Sequence, residues 1–246
     1  MNPHLCIIKK LQKRIKMKKS SFVILIAAAV AIVVLPSFTN HTESKSEALK
    51  NVPTQTVATD AKSVNFLNMQ DAFKGETTAS AKYAAYSQKA EEEGLHEIAM
   101  LFKTASKSEK IHANNHKAVL AEAGQTVPEI KPEFTVKSTK ENLKDAIAGE
   151  SYEVKTMYPE FLTNANKVGN QLSMVSLNYA YKTEQKHKVF YEKALAALEE
   201  NTVKSLPTVY YVCPVCGNTY ENEAPKRCGI SMTGSERFVK IVDLNS

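Results

Sequence analysis

The sequence predicts a mainly α protein: a four-helix bundle followed by a small β-rich metal-binding module. Three observations carry that prediction. Four stretches between residues 65 and 200 space their apolar residues as helices do, a Glu and a Glu-x-x-His recur in both halves of that region, and three cysteines gather near the C-terminus.

The 246 residues, 43% hydrophobic and 24% charged, suffice for one core and a small second module. The formal charge of +6 is a local feature. Lys9, Lys10, Lys13, Arg14, Lys16, Lys18 and Lys19 occupy the first nineteen positions without one acid, and taking those seven from the 32 basic residues leaves 25 against 26 acidic ones. The body is nearly neutral, so nothing in it asks for nucleic acid.

Residues 1–38 read as a signal peptide or an N-terminal membrane anchor. After the basic stretch, Phe22 to Leu35 is an unbroken apolar run closed by Pro36, the order of an export signal. As a helix it would span about 21 Å against about 30 Å of hydrocarbon, which favours cleavage over a stable anchor. Met17 offers a second possible start, with Lys18 and Lys19 as a short charged leader. The expected location is exported, periplasmic or otherwise extracytoplasmic, or membrane-anchored; any membrane contact comes only through an uncleaved leader. Residues 39–63, rich in Thr, Ser, Asn and Lys, read as a disordered tether.

Residues 64–204 form the bundle, with helices expected at roughly 65–93, 95–123, 139–168 and 171–200, bounded by Gly94, Gly124 and Gly169-Asn170. Ser138 and Glu141 make a capping-box start for the third. The connection from Gln125 to Lys137 is long enough to cross the bundle. After Pro207 the composition turns to Val, Tyr, Cys, Pro and Gly, as suits a small module over residues 205–246.

Glu76 precedes Glu109 by 33 positions and Glu150 precedes Glu184 by 34, and the second glutamate of each pair opens an E-x-x-H ending at His112 or His187. The chain reads as a helix pair used twice. Residues three apart on a helix share a face, so each Glu and His can reach one ion. Ile98, Phe102 and Ala105 share the face of Glu109, and Leu177 and Ala180 that of Glu184, so these charges interrupt apolar, core-facing seams. Glu150 and Glu153 follow Leu143 and Ile147 in the same way. Carboxylates buried there would repel one another and cost several kcal/mol each in desolvation, which two multivalent cations would offset. Mixed carboxylate and imidazole donors suit iron or manganese. A single E-x-x-H is ordinarily a solvated pair; the doubled pattern lifts these above that reading. Glu153 alone reads equally as exposed, His116 as a neighbour of the site or solvent-facing, and Tyr83, Tyr152 and Tyr158 as packing. Glu91, Glu92, Glu93 and Glu97 read as a wet helix end.

Cys213-Pro-Val-Cys216-Gly217 is a metal knuckle in which two thiolates grip one ion, and Cys228 opens a second. Ser231 stands where a fourth sulfur is expected, and Met232 where a glycine is, implying an altered turn and a weak iron or zinc site. Were Ser231 bound as alkoxide, it would lower the reduction potential of iron there.

Through Phe73-Lys-Gly-Glu76, Ser108-Glu-Lys-Ile-His-Ala113, Ala148-Gly-Glu-Ser-Tyr-Glu153, Met157-Tyr-Pro159 and Cys213-Pro-Val-Cys-Gly217, the chain resembles the rubrerythrins from about Asn65 to Phe238. That resemblance implies a ferritin-like di-iron bundle with a rubredoxin-like iron module. It implies Glu76, Glu109, Glu150, Glu153, Glu184 and His187 as iron ligands, and His112 as the residue one iron moves onto from Glu153 on reduction. It implies reduction of hydrogen peroxide to water, electrons arriving from a donor protein through the rubredoxin-like iron, usually of a neighbouring subunit, and a homodimer or larger homo-oligomer. An iron-oxidising, iron-storing or peroxide-sensing protein, and a purely structural bundle, are the alternatives.

Overall fold

The computed structural model describes residues 54–245. Residues 1–58 and 59–246 divide as two units. Of the first, only the helical backbone of residues 54–58 is described, and the expected leader lies outside the described residues.

Helix α1 runs Thr54–Glu92 and α2 His96–Glu122. The next helix is continuous but changes winding: α3 (Thr139–Tyr152) passes into a π-helical turn, Glu153–Met157, and on into α4 (Tyr158–Lys167). Helix α5 spans Gln171–Glu199. The first helix starts inside the stretch expected as a tether, so residues 54–63 correct that expectation. They hold neither Gly nor Pro, and lengthening a helix already anchored by packing avoids the cost of a new nucleus.

The ends form as their residues dictate. Ser138 caps α3 in a reciprocal box with Glu141, Asn170 caps α5 by accepting from Ser173 N–H, and Gly94 and Gly169 take left-handed φ of +75° and +64° where α1 and α4 stop.

Two apolar clusters fill the bundle. One holds Tyr83, Tyr86, Ile98, Phe102, Leu143 and Tyr191, the other Met69, Phe73, Leu120, Tyr158, Phe161 and Leu177. The terminal module is a three-stranded antiparallel sheet in the order β2-β1-β3, with β1 Tyr210–Val212, β2 Thr219–Glu221 and β3 Val239–Ile241. Its Tyr210, Val212 and Ile241 are buried in the first cluster. The module thus shares the core of the bundle, and that seating positions the chemistry described next.

Candidate metal centre

On α1, α3–α4 and α5 the Glu or Glu-x-x-His turn falls between the residues given to one apolar cluster and those given to the other, and on α2 the change of cluster comes within one residue of His112, between Ile111 and Ala113. The result is a polar layer sealed at both ends. Glu76, Glu109, His112, Glu150, Glu184 and His187 are all at most 2% exposed.

Their donor atoms converge in two overlapping sets, Glu76 with Glu109, His112 and Glu184, and Glu109 with Glu150, Glu184 and His187, the atoms of each lying within 4.8 Å of one another. Glu109 and Glu184 belong to both. His112 Nδ1 stands 2.9 Å from Glu109 Oε2 and 2.8 Å from Glu184 Oε1, while His187 Nδ1 stands 3.0 Å from Glu109 Oε1 and 2.8 Å from Glu184 Oε2. Each shared carboxylate turns one oxygen to each histidine, the arrangement a bridging ligand requires.

The outer glutamates are tied on one side only. Tyr83 donates to Glu150 Oε1 at 2.7 Å and Tyr158 donates to Glu76 Oε1. Glu76 Oε2, Glu109 Oε1, Glu150 Oε2, both oxygens of Glu184 and His187 Nδ1 are buried without a hydrogen-bond partner among the described residues. Four buried carboxylates facing only two imidazoles are costly, and cations among them would satisfy all of them at once. The donor set therefore fits two metal ions.

Without metal, protons are the only cations available to the layer. Burial pushes Glu76 up to about 8, and burial with the negative charge of Glu184 and Glu109 raises Glu150 well above the carboxylate range. Burial alone would raise Glu109 too, but the imidazoles of His187 and His112 hold it down to about 2. Burial alone would lower His112 and His187, yet the carboxylates around them raise both well above the usual imidazole range.

The far side of each imidazole is held by the terminal module. His112 Nε2 lies 3.0 Å from the carbonyl oxygen of Cys216, which can only accept, so Nε2 carries the proton. His187 Nε2 lies 3.0 Å from Thr219 Oγ1, whose own hydrogen goes to the carbonyl of Gly217, so this Nε2 also donates. Both Nδ1 lone pairs are left for metal, the orienting role that outer partners play at metal-bound histidines. Ser108 and Asn115 donate to the carbonyls of Gly217 and Val215. In this chain the cysteine module sits on the metal layer of its own bundle, where α2 and α5 present donors to its carbonyls.

Glu153 is outside both converging sets. It opens the π-helical turn and is only partly buried as a residue. Burial of its carboxyl and the charges of Glu76 and Glu150 nevertheless raise it well above the usual range, so it faces the layer. His116 is fully buried, 2.8 Å from Ser176 Oγ and 3.4 Å from the Tyr158 hydroxyl, which excludes the solvent-facing reading. Burial and the neighbouring His112 hold it down to about 3, hence neutral. Tyr83 and Tyr158 do more than pack, since they fix the outer glutamates, whereas Tyr152 is 59% exposed. The sequence hinted at Tyr158 only through the Met-Tyr-Pro motif and gave no sign of Thr219 or the π turn.

Cys213, Cys216 and Cys228 converge, all buried, with Ser231 Oγ 3.2 Å from Cys213 Sγ and Cys216 Sγ 3.4 Å from Cys228 Sγ. The turn at Met232 is not altered: Met232 itself takes φ +60°.

Comparison with known proteins agrees with this geometry. The family model described as Rubrerythrin matches residues 67–195. Rubrerythrin-2 of Clostridium acetobutylicum is 32% identical over 178 residues, 69% of this chain and 92% of the relative. Nigerythrin of Nitratidesulfovibrio vulgaris is 31% identical over 173 residues, 70% of this chain and 83% of the relative. Among solved structures, fully reduced, all-ferrous nigerythrin is similar with a TM-score of 0.65 and 26% identity, covering 86% of this chain and 100% of that chain. A bacterioferritin of Rhodobacter capsulatus, 19% identical with a TM-score of 0.52, shares the fold.

Proposed function

The chain belongs to the rubrerythrin family and is a di-iron protein of that type, and from that premise we propose that it reduces hydrogen peroxide to water. The observation carrying the proposal is the pair of donor sets sharing Glu109 and Glu184. Two adjacent irons would supply together the two electrons that cleaving one O–O bond takes.

The chain's own residues do the rest. Glu76 and His112 would hold one iron, Glu150 and His187 the other, with Glu109 and Glu184 between them. Glu153, at the start of the π-helical turn, is the ligand that would come and go opposite His112; such turns recur at functional sites because they free one backbone position from the regular ladder. Tyr83 and Tyr158 hold the outer carboxylates and keep their hydroxyl hydrogens beside the layer. Peroxide reduction consumes two protons with two electrons. The apolar clusters above and below exclude water.

Electrons would come from a donor protein through the cysteine module, whose Cys216 carbonyl is hydrogen-bonded to His112. That contact favours turnover over iron storage; Ser231 in place of a fourth cysteine favours the alternative of an iron-oxidising or peroxide-sensing protein. Export by residues 1–38 and self-association into a homo-oligomer belong to the same proposal.

The test is anaerobic: fully reduced protein is given peroxide with and without excess chemical reductant. One peroxide consumed per di-iron site without reductant and many with it are expected. A single turnover regardless of reductant would sink the peroxidase reading and leave the iron-handling one.

A further inference from the structure

The two knuckles of the terminal module are backbone copies of each other. In the first, Gly217 N–H donates to the Cys213 carbonyl at 2.9 Å and Cys213 N–H to the Asn218 carbonyl at 2.9 Å. In the second, Met232 N–H donates to the Cys228 carbonyl at 3.0 Å and Cys228 N–H to the Thr233 carbonyl at 2.8 Å. Gly217 at φ +78° corresponds to Met232 at φ +60°. Under this correspondence Cys213 pairs with Cys228, Cys216 with Ser231, and Asn218 with Thr233. Ser231 thus occupies the corner that the cysteine of the first knuckle occupies in its own half.

We infer that Ser231 Oγ is the fourth donor of the terminal metal site, completing three thiolates and one oxygen, and that Thr233 is the residue that positions it. With metal–sulfur bonds of about 2.3 Å and metal–oxygen bonds of about 2.1 Å, a tetrahedral site has sulfur–oxygen edges of about 3.6 Å and sulfur–sulfur edges of about 3.8 Å. The observed 3.2 Å from Ser231 Oγ to Cys213 Sγ and 3.4 Å from Cys216 Sγ to Cys228 Sγ lie within a few tenths of those lengths. Thr233 Oγ1 stands 2.8 Å from Ser231 Oγ, and Thr233 is 9% exposed. That bond holds the serine rotamer with its oxygen toward the sulfurs. A serine lacking such a partner would be free to turn to solvent and leave three thiolates and a water. The four-thiolate set that the family resemblance implied is therefore replaced here by a set with a hard donor at one corner.

The inference is independent of the peroxide reading, and its readout is silent to the bundle, whose proposed ligands include no sulfur. The full chain is stripped of metal anaerobically and titrated with Co2+, whose near-ultraviolet absorption reports thiolate-to-metal charge transfer. Ser231→Ala should leave the saturating intensity per chain unchanged while weakening the binding that this absorption reports roughly tenfold or more, and Thr233→Val should weaken it similarly. The double variant should be no weaker than Ser231→Ala alone, because the two residues act through one oxygen. Ser231→Cys should raise the intensity by about a third and restore tight binding. If Ser231→Ala binds Co2+ as tightly as the unaltered chain, Ser231 is not a donor. If Thr233→Val alone has no effect, the positioning role falls. Far-ultraviolet circular dichroism, dominated by the bundle, and near-ultraviolet signals of Tyr210 and Tyr220 separate lost binding from lost folding.

Discussion

His112 Nε2 hydrogen-bonds the Cys216 carbonyl at 3.0 Å while its Nδ1 stands 2.8 Å from Glu184 Oε1, so one imidazole joins the cysteine knuckle to the carboxylate layer. His187 makes the parallel link through Thr219. The module is therefore part of the architecture of the bundle's metal site. Thr219→Val, which keeps the shape and removes the acceptor, should lower iron affinity at the bundle about 10- to 100-fold with helical content unchanged. Iron per chain after dialysis against a graded chelator measures it. Unchanged retention would show that His187 needs no partner.

The outer carboxylates should matter in proportion to what they face. Glu150 is 2% exposed with one oxygen on Tyr83 and the other without a hydrogen-bond partner among the described residues, whereas the side chain of Glu92 is 69% exposed, with Lys89 Nζ 3.8 Å away. Glu150→Ala should lose much of the bundle iron, and Glu92→Ala none. Without metal the order of stability should reverse, because removing an unpaired buried acid relieves a desolvation cost while a surface change stays within about 0.5 kcal/mol. Thermal melts of the metal-free variants check that reversal.

What the sequence made legible was periodicity and repetition. The helices, their glycine and Ser138 boundaries, and the doubled Glu and Glu-x-x-His follow from spacing along the chain, which a helix converts directly into a shared face. The outer partners are a different matter. Thr219 meets His187 and Tyr83 meets Glu150 across 32 and 67 positions, and no local rule links such pairs. The π-helical turn at Glu153–Met157 was equally hidden, since the same residues would sit well in an ordinary α-helix. The early start of α1 shows the converse: polar composition suggested a tether, but packing further along sustains the helix.

Metal binding should be strongly pH-dependent. Glu76, with its carboxyl pushed up to about 8, retains at neutral pH a proton that the unfolded chain has shed, and the raised His112 and His187 do likewise. The folded metal-free state binds more protons than the unfolded one, so its stability falls as pH rises from about 5 through about 8. Glu109, at about 2, is ionised throughout that window and adds nothing to the slope, and His116, held down to about 3, opposes it only below about pH 6.5, one group against several raised ones. Metal must displace those protons, so affinity should rise over the same interval and loading should release protons. Melting of metal-free protein at pH 5.5 and 8.5, with proton release on adding Fe2+ anaerobically, tests both signs. A metal-free protein more stable at the higher pH would contradict this account.

The paired knuckles yield opposite expectations for the same backbone position. A side chain at Gly217 would need φ +78° and would drive its Cβ into the ring of His112 and the hydroxyl of Ser108. Gly217→Ala should therefore unseat the module and lose bundle iron. Met232 is already at φ +60° and 61% exposed, so its side chain contributes little packing while its backbone carries left-handed strain of about 1 kcal/mol or slightly more. Met232→Gly removes that strain at the cost of about 0.5–1 kcal/mol of extra freedom in the unfolded chain. The net should be a gain below about 1 kcal/mol, raising the melting temperature by up to about 2–4 °C in a unit of this size. Calorimetry of the two variants beside the unaltered chain decides it. A lower melting temperature for Met232→Gly would mean that the methionine makes contacts worth more than the strain it imposes.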